Sequence, residues 1–197
     1  SDFMFEKGVS GATVKNLVET IADLHMIAKW YLKVEDPSEF ETESYLIIPL
    51  LRVLGWTPQK MAIEYRDNKI KKKQRIDIAL FKKLPRNPQN LDVIVEAKKK
   101  GLSCLMAFDQ AEQYARSYDF CDRLIVADGL RYGIFIKKGN EFSLYAYMNL
   151  TELKDKYEIY KCVGVKEALW SMTPEWTQNA GLSKEQQIFF VSLYFYR

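Results

Sequence analysis

Two short β-branched segments that carry acidic residues constrain the fold of this chain most. They read Arg75-Ile-Asp-Ile-Ala-Leu-Phe81 and Asp92-Val-Ile-Val-Glu-Ala-Lys98. Segments of this composition form strands near a core, so Asp77, Glu96 and Lys98 place charges where apolar side chains are expected. Alternate side chains of a strand share a face, which puts Glu96 and Lys98 on one face, about 7 Å apart. A hairpin of the two strands would bring Asp77 beside them and form an oxygen-rich divalent-metal site next to a cation.

The bulk composition is that of one globular domain, with 197 residues, 48 % of them hydrophobic and 28 % charged. No apolar run approaches the ~20 residues that a membrane-spanning helix needs. The first residues also lack the basic and apolar regions of a secretory signal. We therefore expect a cytoplasmic protein without a membrane partner. The cysteines Cys104, Cys121 and Cys162 are odd in number and widely spaced, which favours buried thiols over disulfides or a zinc site.

Positive charge is concentrated on both sides of the acidic segments, although the net charge of the chain is only +3. Residues 69–75 contain five cations in seven positions, and three consecutive lysines end the second segment. A lysine run often marks only a solvated hairpin tip, but beside a carboxylate cluster it favours phosphate binding. The expected DNA-binding residues are Lys71, Lys72, Lys73, Arg75, Lys99 and Lys100.

Two helices are predicted before the charged strands. Apolar residues recur at helical spacing from Thr13 to before Pro37. Ser38 and Glu41 then form a capping box that begins a second helix, which Pro49 should kink or interrupt and Gly55 should end. Glu39 and Glu43 share a face of this second helix and either point toward the strands or simply complement the helix dipole.

The rest of the pattern predicts a mixed central β-sheet flanked by helices, an α/β (α+β mixed) fold. Strands are expected over 61–65, 74–81, 92–98, 124–127, 132–137 and 142–147, with a helix after Gly101. Residues 1–12 show little periodicity and are expected to be loosely held. Beyond Thr151 we expect one or two helices, and a last helix that begins at Ser183.

The order of these motifs resembles the PD-(D/E)XK nuclease superfamily. Asp77 and Glu96-Ala-Lys98 match its core motif, with eighteen residues between Asp77 and Glu96 and the two parts on successive strands. Gln110-Ala-Glu-Gln-Tyr114 matches the QxxxY signature of the N-terminal nuclease domain in the restriction (R) subunits of type I restriction enzymes. The segments 48–56 and 124–135 resemble the helix ending in LGW and the strand-turn-strand of that domain. The likeness covers roughly residues 38–150.

The sequence departs from this family in two places. Ile76 precedes Asp77 where the motif has proline, and no GxxxxGK loop for an ATP-driven motor is present. The resemblance implies a restriction-endonuclease-like core over 37–150. Residues 1–36 would be an N-terminal tail and helix packed on this core, and residues 151–197 a C-terminal helical extension of the same domain.

The chemistry of the residues and the resemblance together imply a Mg²⁺ site, with Mn²⁺ as a substitute. Asp77 and Glu96 are the expected ligands, and Lys98 would orient the attacking water and offset negative charge in the transition state. The resemblance adds the backbone carbonyl of Ala97 as a ligand. It also adds Glu39 through a metal-bound water, with Glu43 as the alternate, and Gln110 and Tyr114 as hydrogen-bonding partners of Lys98 or the phosphate. The alternative interpretation of Gln110 and Tyr114 is a polar side chain at a helix edge and an aromatic ring packed against the sheet.

The residues and the resemblance together predict a metal-dependent endonuclease domain that hydrolyses DNA phosphodiester bonds. The resemblance implies a helicase or translocase motor and modification or specificity subunits as partners. The alternative is a nuclease-fold module that binds nucleic acid or protein without cleavage. The aromatic C-terminal segment with Phe189, Phe190 and Tyr194 fits a helical core better than an oligomerisation surface.

Overall fold

The computed structural model describes residues 2–31, 33, 37–71, 73–99 and 103–177. Its centre is an eight-stranded sheet in the order β1-β2-β3-β4-β5-β6-β8-β7. The strands are β1 (Met61–Tyr65), β2 (Ile76–Phe81), β3 (Leu91–Ala97), β4 (Arg123–Ala127), β5 (Arg131–Lys138), β6 (Glu141–Asn149), β7 (Lys156–Tyr157) and β8 (Cys162–Val163). Neighbouring strands are antiparallel except β3 with β4 and β6 with β8, which are parallel. The predicted mixed sheet is confirmed.

Helices flank this sheet. They are α1 (Asp2–Glu6), α2 (Gly11–Tyr31), α3 (Glu39–Thr42), α4 (Ile48–Val53), α5 (Phe108–Ala115) and α6 (Val165–Ser171). A π-helical turn over Glu43–Ile47 joins α3 to α4. None of the helices in the described ranges is both long and apolar enough to cross a membrane.

The sheet separates two apolar layers, and β3 shows why. Val93 and Val95 belong to the layer that contains the buried residues of α2 and α4, whereas Ile94 belongs to the layer that contains those of α5. All seven residues of β3 are buried, as expected for a strand covered on both faces. Charged residues on this strand therefore lie inside the protein.

The start of α3 follows the predicted capping box. The N–H of Glu41 donates to Ser38 Oγ over 3.1 Å, and the N–H of Ser38 donates to Glu41 Oε2 over 2.8 Å. Pro49 interrupts the helix as predicted, because its ring removes a backbone donor and crowds the preceding turn. The chain responds with the π-helical turn directly before α4, a feature that often occurs at functional sites.

Two stretches differ from the predictions. Residues 2–6 form α1, whose Met4 is buried, so this part of the N-terminus is not loosely held. Residues 156–163 include β7 and β8 instead of helix, and β8 pairs with β6. Such two-residue strands are set by the neighbouring strand and leave no periodic signal in the sequence. The predicted helix from Ser183 lies outside the described residues, and the domain boundary at residue 150 stays a prediction.

Candidate metal centre

The β2–β3 hairpin brings its charged residues together. Ile78 lies opposite Val95, and continuing this register by one residue places Asp77 opposite Glu96. The N–H of Ala97 donates to Asp77 Oδ2 over 2.8 Å, which fixes the Asp77 carboxylate at the end of the strands. The backbone N–H of Lys98 donates to the Ala127 carbonyl over 2.7 Å, so the end of β3 is held against β4.

Three carboxylates meet beside this hairpin. One oxygen each of Glu39, Glu43 and Asp77 lies within 4.8 Å of the other two. Glu39 opens α3 and Glu43 opens the π-helical turn, so the helix presents both acids to the strand. We predicted Glu39 with Glu43 as its alternate, and the structure brings both to Asp77.

The electrostatics of this cluster are unfavourable for the protein alone. Burial, together with the negative charges of Asp77 and Glu39, raises the pKa of Glu43 to about 7. Burial also raises the pKa of Asp77, although the Ala97 N–H and the charge of Lys98 oppose this shift. Three carboxylates at this distance repel one another unless a cation or protons neutralise them.

Glu96 lies outside that three-carboxylate cluster. Its side chain is fully buried, and neither carboxylate oxygen has a hydrogen-bond partner among the described residues. Burial and the nearby Asp77 carboxylate, opposed by the charge of Lys98, raise the pKa of Glu96 to about 9. A buried polar group without a partner is costly and calls for an explanation.

A hydrogen-bonded chain joins Lys98 to α5. Lys98 Nζ donates to Gln110 Oε1 over 3.1 Å, and Gln110 Nε2 donates to the Tyr114 hydroxyl over 3.3 Å. Gln110 and Tyr114 are four residues apart and therefore share the helix face that covers the hairpin. The ammonium group is thus oriented by residues of the predicted QxxxY motif.

Four of the six predicted DNA-binding residues lie in the part of the chain that the structure describes. The side chains of Lys71, Lys73, Arg75 and Lys99 are exposed, while Lys72 and Lys100 lie outside the described residues. Arg75 forms an ion pair with Glu64, with 2.9 Å between Nη1 and Oε1.

The loop between β1 and β2 is anchored by residues that sequence reasoning missed. Asp67 Oδ2 accepts a hydrogen bond from the Tyr118 hydroxyl over 2.9 Å, and its Oδ1 accepts one from the Lys69 N–H over 2.8 Å. Ile70 is buried in the apolar layer next to α5. The Asp67-Asn68 pair is a turn signal that indicates a fixed loop, but nothing in the sequence indicates Tyr118 as its partner.

Comparison with known proteins gives one distant structural neighbour. No protein-family model matches the sequence, and no curated protein matches it. The structure resembles a fragment assigned to the HsdR subunit of a type I restriction enzyme from Vibrio vulnificus YJ016, with a TM-score of 0.46 and 16 % identity. The match covers 71 % of this chain and 26 % of the other, so the matched part spans about a quarter of that fragment's length.

Proposed function

We propose that this chain is a metal-dependent endonuclease domain of the PD-(D/E)XK kind, related to the nuclease domain of type I restriction R subunits. The observation that carries the proposal is the convergence of Glu39, Glu43 and Asp77 at the hairpin that also bears Glu96 and Lys98. Alternate readings of single residues, such as a helix-dipole role for the glutamates, do not account for this convergence.

The donor set fits a hard divalent cation. Mg²⁺ and Mn²⁺ prefer carboxylate oxygens, and the cluster offers three within 4.8 Å. Asp77, Glu39 and Glu43 would hold the ion. Glu96 and the carbonyl of Ala97 remain predicted ligands, and the buried, unpartnered oxygens of Glu96 suit a role that requires a positive charge nearby.

The protein residues would divide the work between them. A bound Mg²⁺ supplies charge stabilisation at the phosphoryl group and makes water a better nucleophile near neutral pH. Lys98, held by Gln110, would orient the attacking water or donate to the phosphate oxygen that gains charge. Tyr114 would position Gln110, and the exposed Lys71, Lys73 and Lys99 would hold the DNA backbone.

The wider assembly is also part of the proposal. DNA is the expected substrate, and a motor together with modification or specificity subunits are the expected partners. No phosphate-binding GxxxxGK loop is present in the 197 residues, so a motor would have to come from elsewhere.

Calorimetry with Mn²⁺ tests the metal site. Wild-type protein should bind Mn²⁺, and Asp77→Asn should lose that binding because the cluster loses one ligand charge. Asp155→Asn is the matched control, since Asp155 is an exposed acid paired only with Lys166 at the surface. Equal Mn²⁺ binding by wild type and Asp77→Asn would contradict the assigned site.

Plasmid cleavage with Mg²⁺ tests the chemistry. Lys98→Ala should abolish cleavage, whereas Lys99→Ala, at the neighbouring exposed position, should change it only through DNA affinity. Cleavage that survives Lys98→Ala would reject the role of Lys98. The alternative function, a non-cleaving nucleic-acid module, predicts DNA binding that weakens with salt and no Mn²⁺ binding at all.

A further inference from the structure

Glu64 has an unusual backbone conformation in the middle of β1. Its φ is +51°, one of two positive values for non-glycine residues in the described part of the chain. A side chain at this φ meets its own backbone, so the left-handed conformation is disfavoured for glutamate. Strain of this kind persists where the surrounding structure enforces it, and it often occurs at functional sites.

The strained residue lies directly across from the metal centre. Ile63 pairs with Ile78 and Tyr65 with Ile76, so Glu64 lies opposite Asp77 on the neighbouring strand. An irregular residue in a strand re-aims its side chain. Here the Glu64 carboxylate reaches Arg75, the residue just before β2.

Arg75 stands at the edge of the acidic cluster. It directly precedes β2 and lies two residues before Asp77 in the chain. Burial raises the pKa of Glu43 and of Asp77, and in both cases the positive charge of Arg75 opposes the shift. Its guanidinium therefore acts on two of the three clustered carboxylates while it pairs with a fourth acid outside that cluster.

The ion pair between Glu64 and Arg75 is weak enough for a stronger partner of Arg75 to replace Glu64. The side chains are 55 % and 45 % exposed, respectively, and exposed ion pairs are weak. A guanidinium binds phosphate through two parallel hydrogen bonds, which a single carboxylate contact in water does not match. A phosphate group that reaches this edge can therefore take Arg75 from Glu64.

We propose that Glu64 is a stand-in counter-ion, which holds Arg75 at the mouth of the metal centre until a phosphate of the DNA backbone replaces its carboxylate. This inference rests on the proposed function, because it requires DNA to approach the Asp77 edge. It adds Glu64 as a positioning residue. The Glu64 carboxylate keeps Arg75 at the site until DNA binds, and it lowers DNA affinity because it competes with the phosphate for Arg75.

DNA binding measured without metal separates this inference from the metal site. A short duplex titrated in EDTA over a range of salt concentrations should bind Arg75→Ala more weakly than wild type. The slope of log affinity against log salt should fall by about 0.9 in this variant, the value for one lost phosphate contact. Glu64→Gln should bind ~3-fold more tightly than wild type, because Arg75 no longer exchanges a carboxylate for a phosphate.

A matched control removes the trivial effect of net charge. Glu152→Gln also frees a cation from a surface pair, since Glu152 and Lys154 are 62 % and 50 % exposed and 2.9 Å apart. It should leave DNA affinity nearly unchanged. Glu64→Asn tolerates the left-handed backbone and should reproduce Glu64→Gln, which rules out an effect of backbone strain.

The double variant decides the outcome. Glu64→Gln should have no effect in the Arg75→Ala background if the two residues act as one unit. Equal tightening in both backgrounds, tightening no greater than that of Glu152→Gln, or no DNA binding by wild type would each overturn the inference. If wild type does not bind Mn²⁺, the metal site is rejected, but the DNA titrations in EDTA still test the role of Glu64.

Discussion

The two ends of β3 treat a buried acid in opposite ways. Asp92, near the start of the strand, pairs with the buried Arg123. Nη1 of that arginine also donates to the carbonyls of Ser171 over 2.9 Å and Thr173 over 2.8 Å. Glu96, four residues along the same strand, has no hydrogen-bond partner for its carboxylate among the described residues.

The surroundings of the two acids sharpen this contrast. The Arg123 guanidinium carbon lies over the rings of Trp56 and Trp176, 6.0 Å and 5.0 Å from their centroids. At the other end, the nearest lysine of the hairpin, Lys98, donates to Gln110. A buried acid with its own cation ties the fold together, whereas a buried group of acids with too little positive charge supports a ligand-binding role.

The largest effect is expected from removal of Arg123, the cation that pairs with Asp92 at the start of β3. Arg123→Met is expected to lower the free energy of unfolding by ~3–5 kcal/mol, because Asp92 is left buried and unpaired. Denaturant unfolding measures this loss. Mn²⁺ binding by the remaining folded protein should be unchanged, because the proposed metal site lies at the opposite end of β3.

A double variant tests whether the loss comes from the uncompensated charge. Asp92→Leu in the Arg123→Met background should recover part of the stability, since two apolar groups can replace a buried pair. If Arg123→Met has the same free energy of unfolding as wild type, the pair of Asp92 and Arg123 does not stabilise the fold.

Removal of one acid at the unbalanced end should have the opposite sign. Glu43→Gln is expected to raise the free energy of unfolding without metal by ~1–2 kcal/mol at about pH 8, because it relieves burial of a charge and repulsion from Asp77. The same variant should lose most of the stabilisation that Mn²⁺ gives to wild type. Thermal unfolding with EDTA and with Mn²⁺ measures both effects.

Asp92→Asn is the matched control, because it should change the free energy of unfolding in the opposite direction. It also replaces one buried acid of the hairpin region by its amide, but it removes the closer of the two carboxylates that pair with Arg123 and should therefore destabilise. Destabilisation by both Glu43→Gln and Asp92→Asn would show that Glu43 stabilises the fold as Asp92 does, and would contradict the expected repulsion in the acidic cluster.

The pH dependence follows from the same imbalance. The folded protein holds the Glu43 proton up to about pH 7, whereas the unfolded chain releases it near the ordinary value of 4.5. The contribution of Glu43 to stability is therefore fully present below about pH 4.5 and is lost as the pH rises through about 7. Compared with Glu43→Gln, wild type without metal should lose ~1 kcal/mol between about pH 5 and pH 8.

Denaturant midpoints at several pH values, with EDTA present, test this difference. Glu152→Gln removes an exposed acid and should follow the wild-type curve. Parallel curves for wild type and Glu43→Gln would mean that Glu43 titrates normally in the folded protein.

Much of the fold was readable from the sequence because its signals are local. The capping box at Ser38, the interruption at Pro49 and the alternating strands around Asp77 and Glu96 depend on residues close in the chain. The hairpin pairing follows from these strands, and the shared face of Gln110 and Tyr114 follows from helical spacing. Their orientation toward Lys98 was implied by the family resemblance. The family resemblance supplied the expectation that these pieces belong to one site.

The rest depends on contacts between distant residues, which local patterns do not encode. Arg123 finds Ser171 and Thr173 about fifty positions later, and nothing near Arg123 predicts this pairing. The left-handed Glu64 likewise arises from its strand neighbours, because the sequence Ala-Ile-Glu-Tyr65 reads as an ordinary strand. The sequence predicts that Glu39 and Glu43 share a helix face, but it does not predict that both carboxylates lie within 4.8 Å of Asp77.

The smallest expected effect concerns the hydrogen-bonded chain that orients Lys98. Tyr114→Phe removes only the hydroxyl that accepts from Gln110 Nε2, so the loss of unfolding free energy should be about 0.5–1 kcal/mol. Mn²⁺ binding should persist, because Tyr114 is not among the clustered carboxylates. If plasmid cleavage is detected for wild type, its rate should fall while DNA affinity in EDTA stays the same. Tyr118→Phe provides the control, since it also removes a buried tyrosine hydroxyl from the α5 side of the sheet but one that binds Asp67 rather than Gln110. A cleavage rate lowered by Tyr118→Phe alone would place the orienting contact in the β1–β2 loop and not beside Lys98.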